Sequence, residues 1–253
     1  MRDPTIKLFS LVVALGLAAG ATAATPVSPA IQSALADPAR PQADRDRDAA
    51  RKAGEALAFA GLKPGQKVAD YLPGAGYFSR IFSAAVGPKG HVYAIFPDFM
   101  AKFETREVAA MKALAADPHY ANVSLSIIPA QTFDTPEKLD LIWTSQNYHD
   151  LQFGLSHEQI VALDKAILAD LKPGGIFLVI DHVAAPGTGW TVARTLHRIE
   201  PKEILADMKE AGFKLVGQSD MLRNPADPHD KLVFDPSIRG HTDQVVFKFQ
   251  RPK

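Results

Sequence analysis

Cysteine is absent from the 253 residues. That excludes disulfides, thiolate zinc sites, a cysteine nucleophile and lipidation at cysteine. It also suits an oxidising compartment, where a free thiol is a liability. Net charge is absent too, since 28 lysines and arginines balance 28 aspartates and glutamates. No basic stripe or arginine–aromatic cluster occurs, so nucleic acid is not an expected partner. A long hydrophobic run is also missing. The apolar stretch Leu8 to Ala19 rises only about 18 Å as a helix, short of a bilayer core of roughly 30 Å, so no stable membrane span is expected. No internal repeat and no long low-complexity segment is present.

What that stretch does resemble is an export signal. Arg2 and Lys7 precede it, and Ala21-Thr22-Ala23 follows as a small-x-small cleavage site. Residues 1–23 therefore read as a signal peptide, and the mature chain as periplasmic or secreted; a membrane anchor that stays uncleaved is the alternative. Residues 24–45, rich in proline, alanine and polar side chains, read as an extended leader. Residues 46–253 form the domain. A composition of 47% hydrophobic and 22% charged residues suits one α/β domain with a substantial core.

The domain is organised around Val68-Ala69-Asp70-Tyr71-Leu72-Pro73-Gly74-Ala75-Gly76-Tyr77-Phe78. Val68 to Tyr71 reads as a buried strand that turns through two glycines into a helix. In that helix Phe78, Ile81, Phe82, Ala85 and Val86 fall at i, i+3, i+4, i+7 and i+8. Free N–H groups at a helix start and close backbone approach at glycine make such a turn a site for a nucleoside-bearing ligand. An ordinary βα turn has the same pattern. If the ligand does sit there, side-chain volume at Gly74 or Gly76 blocks it without unfolding the domain.

The rest of the chain alternates strand and helix. A helix is expected over Asp46–Ala60, strands at Val92–Ile95, Val123–Ile127, Leu139–Thr144 and Ile176–Ile180, and a helix over Phe99–Ala115. Ser156 and Gln159 form a capping box for a helix with the core stripe Ile160, Leu163, Ile167 and Leu168. Pro201 opens a helix that Gly212 closes. Phe213–Gln218 and Gln244–Phe249 are two last strands with no helix between them, so one must run antiparallel. Five βα units predict a doubly wound, Rossmann-like, seven-stranded, mostly parallel sheet with an antiparallel terminal strand pair.

In this arrangement the chain resembles the class I S-adenosylmethionine-dependent methyltransferases. The resemblance rests on Asp70 to Gly76, on Leu171-Lys172-Pro173-Gly174-Gly175 and on Ala211-Gly212-Phe213, and it spans about 49–249. Asn147-Tyr148-His149-Asp150, Asp181-His182 and Arg223-Asn224-Pro225-Ala226-Asp227 look like a group of exported bacterial predicted methyltransferases. The resemblance implies S-adenosyl-L-methionine as cofactor, held by Asp70, Pro73, Gly74, Ala75, Gly76 and Tyr77, with Phe96, Gln131 and Gln146 beyond the turn. Three positions depart from the family pattern. Leu72 stands where a glycine is usual, which implies a tighter or displaced turn. Phe96 stands where an acid usually bonds the ribose, with Asp98 reading as a helix N-cap. Gln131 is the polar residue left near the adenine position.

Methyl transfer asks mainly for positioning, because the methyl donor is already activated. The fourth strand releases Thr144 to Asp150 into the crevice where open α/β sheets bind ligands. His149 is the expected proton acceptor, oriented by Asp150 or Asp181, with Asn147 and Tyr148 holding a small-molecule acceptor. His182 faces the same crevice. His197 and Arg198 read either as caps or as an anion site. A metal site from His149, Asp150, Asp181 and His182 is conceivable, but no ligand spacing is diagnostic and no metal is expected. The loop carrying Arg223 to Pro228 and Phe234 to Pro236 reads as rigid, covering either the substrate or the sheet edge. A non-catalytic binding protein on a degenerate methyltransferase fold is the alternative. A nicotinamide dehydrogenase lacks its acid and its third glycine here. The acceptor, its nucleophilic atom and the oligomeric state are not written in the sequence.

Overall fold

A computed structural model describes residues 25–253. The expected signal peptide lies outside the described residues. Among them, seven strands form one sheet in the order β3-β2-β1-β4-β5-β7-β6. The strands are β1 (Lys67–Tyr71), β2 (His91–Pro97), β3 (Val123–Ile128), β4 (Leu139–Ser145), β5 (Leu171–His182), β6 (Lys214–Ser219) and β7 (Gln244–Gln250). β1, β2, β3, β4 and β5 pair in parallel, while β7 runs antiparallel to both β5 and β6. Strand order reverses between β1 and β4, which places a ligand crevice at their carboxyl ends.

The central strands are buried because both faces are covered. Val68, Ala69, Ile142, Trp143, Leu178 and Val179 exclude solvent, as parallel strands under helices must. The helices around them are α1 (Pro29–Leu35), α2 (Gln42–Arg45), α3 (Asp48–Arg51), α4 (Ala53–Ala60), α5 (Tyr77–Val86), α6 (Asp98–Phe103), α7 (Thr105–Ala116), α8 (His157–Asp170), α9 (Ala193–Leu196) and α10 (Pro201–Ala211). The Ser156–Gln159 capping box forms in full. Pro201 takes the first turn of α10, and Gly212 closes it at φ +99°.

The stretch before residue 46 is not an extended leader. Ser28 caps α1 through its side chain, Pro29 starts the helix, and Ile31 and Ala34 are buried in the core, where α1 packs on α5. The helix expected over Asp46–Ala60 is broken at Lys52, whose φ of +47° ends α3 and starts α4. The helix expected from Phe99 is likewise two helices, interrupted at Glu104. Asp98 does not cap α6 through its side chain; Pro97 holds that position and Asp98 is exposed in the first turn.

Candidate functional site

Two cavities lie along the carboxyl ends of the central strands. The smaller, about 150 Å³, sits in the turn after β1 and is lined by Arg47, Arg51, Asp70, Gly74, Ala75 and Asn147, among others. Leu72 adopts the backbone a glycine would, at φ +59°, and its amide donates to the Ile95 carbonyl at 2.9 Å. A buried leucine side chain thus sits on a left-handed backbone. Gly74 and Gly76 share that region, at φ +56° and +84°. A Cβ on Gly74 would meet nothing within 4 Å. A Cβ on Gly76 would stand 2.6 Å from Met111 Sδ and 2.8 Å from Leu114 Cδ1, both on α7. Gly76 is therefore a packing glycine, and only Gly74 opens on free space.

Asp70, the penultimate residue of β1, has its carboxylate accepting from Ser79 Oγ at 2.6 Å. Burial raises its pKa to about 7, although Ser79 and Arg51 pull it down. The α2–α3 segment covers this turn. Asp48 accepts from Arg40 at 2.6 and 2.8 Å and from the Tyr77 hydroxyl at 2.6 Å. Arg51 lies 4.6 Å over the Tyr77 ring and donates to Gln146 Oε1 at 2.6 Å. Gln146, itself at φ +68°, passes the connection on by donating to Gln244 Oε1 at 3.0 Å.

The larger cavity, about 480 Å³, lies at the ends of β4 and β5. Glu104, Gln146, His149, Asp150, His182 and His197 give it a polar wall, and Met100, Phe103, Phe153, Val233 and Phe234 an apolar one. That size and mixture suit a small ligand. A still larger space, about 720 Å³, opens between α1 and the stretches before β2 and β3. It lies at the amino ends of the strands, away from the ligand side of the sheet.

His149 is fixed from two sides. Asp181, at the end of β5, accepts from His149 Nδ1 at 2.7 Å and from the His149 amide at 2.8 Å. On the cavity side His149 Nε2 is 3.0 Å from Asp150 Oδ1 and 3.2 Å from His197 Nδ1. His197 Nδ1 is in turn 3.0 Å from Asp150 Oδ1. Burial alone would lower the His149 pKa, but Asp181 and Asp150 outweigh it and raise the group to about 10. Asp150 responds oppositely: burial would raise it, and the two imidazoles bring it down to about 2. With Nδ1 held by Asp181, Nε2 is the nitrogen that His149 presents to Asp150, His197 and the cavity. Burial and the charge on His149 drive His182 well below the ordinary histidine range.

The other expected site residues divide. Asn147 lies at the glycine-turn cavity but is spent on structure, accepting from Thr144 Oγ1 and donating to the Leu72 carbonyl. Tyr148 reaches neither cavity. It is buried, with its hydroxyl donating to Asp164 Oδ2 at 2.7 Å, so it cannot hold an acceptor. Phe96 is fully buried in the core and offers nothing to a ribose. Gln131 is exposed on the loop after β3. Arg198 is no anion site, since its guanidinium donates to Asp227 at 2.8 and 3.0 Å with both side chains at 0% exposure. Asp227 and Val233–Phe234 belong to the loop between β6 and β7, which does form part of the cavity wall. Arg51, Glu104 and Gln244 were missed, because each reaches the site from an element distant in the chain.

No protein-family model matches the sequence, and no curated protein matches it. Solved structures do match by shape. A methyltransferase dependent on S-adenosylmethionine from Aquifex aeolicus is 18% identical, with a TM-score of 0.50, covering 77% of this chain and 87% of its own. A possible exported protein from Bordetella parapertussis is 18% identical at a TM-score of 0.52, covering 83% and 68%. The fold is one shared with solved S-adenosylmethionine-dependent methyltransferases. The methyltransferase fold also carries other chemistry. The [4+2]-cyclase SpnF matches at a TM-score of 0.57 and 18% identity, covering 83% of this chain and 81% of its own. Fold therefore sets the scaffold, and the site must set the reaction.

Proposed function

We propose that the chain is an S-adenosylmethionine-dependent methyltransferase acting on a small-molecule acceptor. The observation that carries this reading is the open turn at Gly74, at the switch point of a methyltransferase fold, next to a polar cavity of about 480 Å³. The donor set beside that turn fits the amino-acid end of the cofactor. Arg47 and Arg51 match a carboxylate, Asp70 matches an ammonium, and the Gly74–Ala75 backbone permits close approach. Bound there, the cofactor supplies a methyl group on a sulfonium already activated for transfer. The chain supplies position: Gln146 separates the two cavities, and the wall from His149 to Phe234 holds the acceptor away from bulk water.

Export is part of the same reading. Its support is the pattern at residues 1–23 and the fold shared with a possible exported protein.

A second reading is a binding protein on this fold without transfer activity. Phe96 at the end of β2 and the small volume at the turn favour it. Calorimetric titration of the purified chain with S-adenosylmethionine and with its demethylated product separates the two. Micromolar binding of both supports the enzyme; no binding up to millimolar ligand leaves the binding protein.

A further inference from the structure

We infer that His149, Asp150 and His197 bind a divalent first-row transition-metal ion through His149 Nε2, Asp150 Oδ1 and His197 Nδ1. The three atoms form a nearly equilateral triangle with edges of 3.0, 3.0 and 3.2 Å. Hydrogen bonds account for only part of that shape. Two bonds into Asp150 Oδ1 explain the 3.0 Å edges, but both nitrogens then carry protons that face each other across 3.2 Å. A shared cation accounts for it. Ligands about 2.0–2.2 Å from one metal, at tetrahedral or octahedral angles, lie roughly 3.0–3.5 Å apart. The three donor atoms all lie within 4.8 Å of one another.

The surroundings are those of a built metal site. A metal-bound histidine ordinarily gives its other ring N–H to a carboxylate, which fixes the tautomer and aims the ligating nitrogen. His149 does this: Nδ1 is 2.7 Å from Asp181 Oδ1, and its amide holds the other oxygen of the same carboxylate. Asp181 is fully buried and also accepts from the His182 amide at 2.8 Å. His197 is held at φ +53°, a left-handed backbone that costs energy outside glycine. Its ring is packed between Phe153 and Phe234, with centroids 5.4 and 5.0 Å away. Glu104 supplies an independent mark. Its Oε2 is buried without a hydrogen-bond partner in the wall of the same cavity, as expected of a group that faces a metal-bound water or becomes a further ligand.

Two imidazoles and one carboxylate on one side of an ion leave its remaining positions open. Here those positions face the cavity of about 480 Å³. The nitrogen-rich set favours zinc, iron, cobalt or nickel over magnesium or calcium, which prefer oxygen ligands. The open face would take a small ligand with an oxygen or sulfur donor. The site stands whether or not the chain transfers methyl groups, because metal binding is read directly.

The test uses the full-length chain without an affinity tag, stripped with chelator and titrated with Zn²⁺ by calorimetry and with Co²⁺ by visible absorption. One equivalent should bind at micromolar affinity or tighter, cobalt should give ligand-field bands, and Mg²⁺ should bind at least 100-fold more weakly. His197→Ala should weaken zinc at least 100-fold, and Asp181→Asn should weaken it about 10–100-fold. His119→Ala, at an exposed histidine paired with Asp37, should leave it unchanged. Should His197→Ala fail to fold by thermal melt, Asp150→Asn is read in its place. Wild-type binding weaker than millimolar, or stoichiometric binding that the His197 or Asp150 variant leaves intact, overturns the inference.

Discussion

Asn147 donates from its side-chain amide to the Leu72 carbonyl at 2.6 Å, and so fastens the end of β4 to the turn that follows β1. The bond crosses the switch point of the sheet and holds in place a leucine whose backbone is left-handed. Asn147→Ala leaves that carbonyl without its partner, which costs about 1–3 kcal/mol. The expected result is a lower melting temperature with the secondary structure unchanged by circular dichroism. An unaltered melt would mean that water replaces the amide at no cost.

Leu72→Gly separates strain from burial at the same turn. Relief of the left-handed backbone is worth about 1–2 kcal/mol, whereas loss of a buried leucine side chain costs about 2–5 kcal/mol. Burial wins, and the glycine variant should unfold at lower denaturant. A stabilised variant would show that the strain is larger than its ordinary magnitude.

The two glycines of the turn should respond differently. Gly74→Ala adds a methyl group to open space. It should lower affinity for S-adenosylmethionine at least tenfold while the melt falls by no more than about 4 °C, the equivalent of about 1 kcal/mol for a domain of this size. Gly76→Ala drives a Cβ into Met111 and Leu114 and should cost more stability than ligand affinity. Equal affinity in a folded Gly74→Ala chain would move the ligand elsewhere.

Much of the fold was legible because long, continuous signals specify it. The buried runs of β1 and β5, the capping box of α8 and the Pro201 and Gly212 ends of α10 each act locally and appear where expected. The segment before residue 46 was not legible, because α1 is seven residues long and anchors itself with only Ile31 and Leu35 among small and polar residues. At the site, the pairing of His149 with Asp181 could be read from strand ends meeting at one crevice. Tyr148 could not: its neighbours in sequence all face the crevice side, and only the packing of α8 and α10 shows that its hydroxyl meets Asp164 and Asp207. Arg198 was misread for the same reason, since its partner Asp227 lies 29 residues away.

Asp70 predicts a pH dependence of stability. Its folded pKa, raised by burial to about 7 from an ordinary 3.8, means that the folded chain keeps a proton the unfolded chain releases. Stability from this group therefore falls as pH rises from about 4 to about 7 and is constant above that. Asp70→Asn does not titrate. Its melting temperature should gain on the wild type across that window, and a difference independent of pH would exclude the effect.

The Arg198–Asp227 pair is fully buried. Asp227→Ala strands a guanidinium in the interior and should cost about 3–5 kcal/mol. The loss should be nearly the same in low and high salt, because screening does not reach buried pairs. A small, salt-sensitive loss would place the pair at the surface.

One residue decides when this molecule becomes competent. Gln146 accepts from Arg51, 95 residues before it, and donates to Gln244, 98 residues after it. Contacts this distant in sequence close late, because the chain between them must first be ordered. The first helices and the central strands emerge during synthesis well before β7 exists. A chain interrupted ahead of Gln244 can carry the glycine turn and all three histidines of the crevice yet lack the strand that completes the relay. Maturation of the site therefore coincides with arrival of the last strand, and a premature stop ahead of Gln244 should act as a loss of function, not as a trimmed tail.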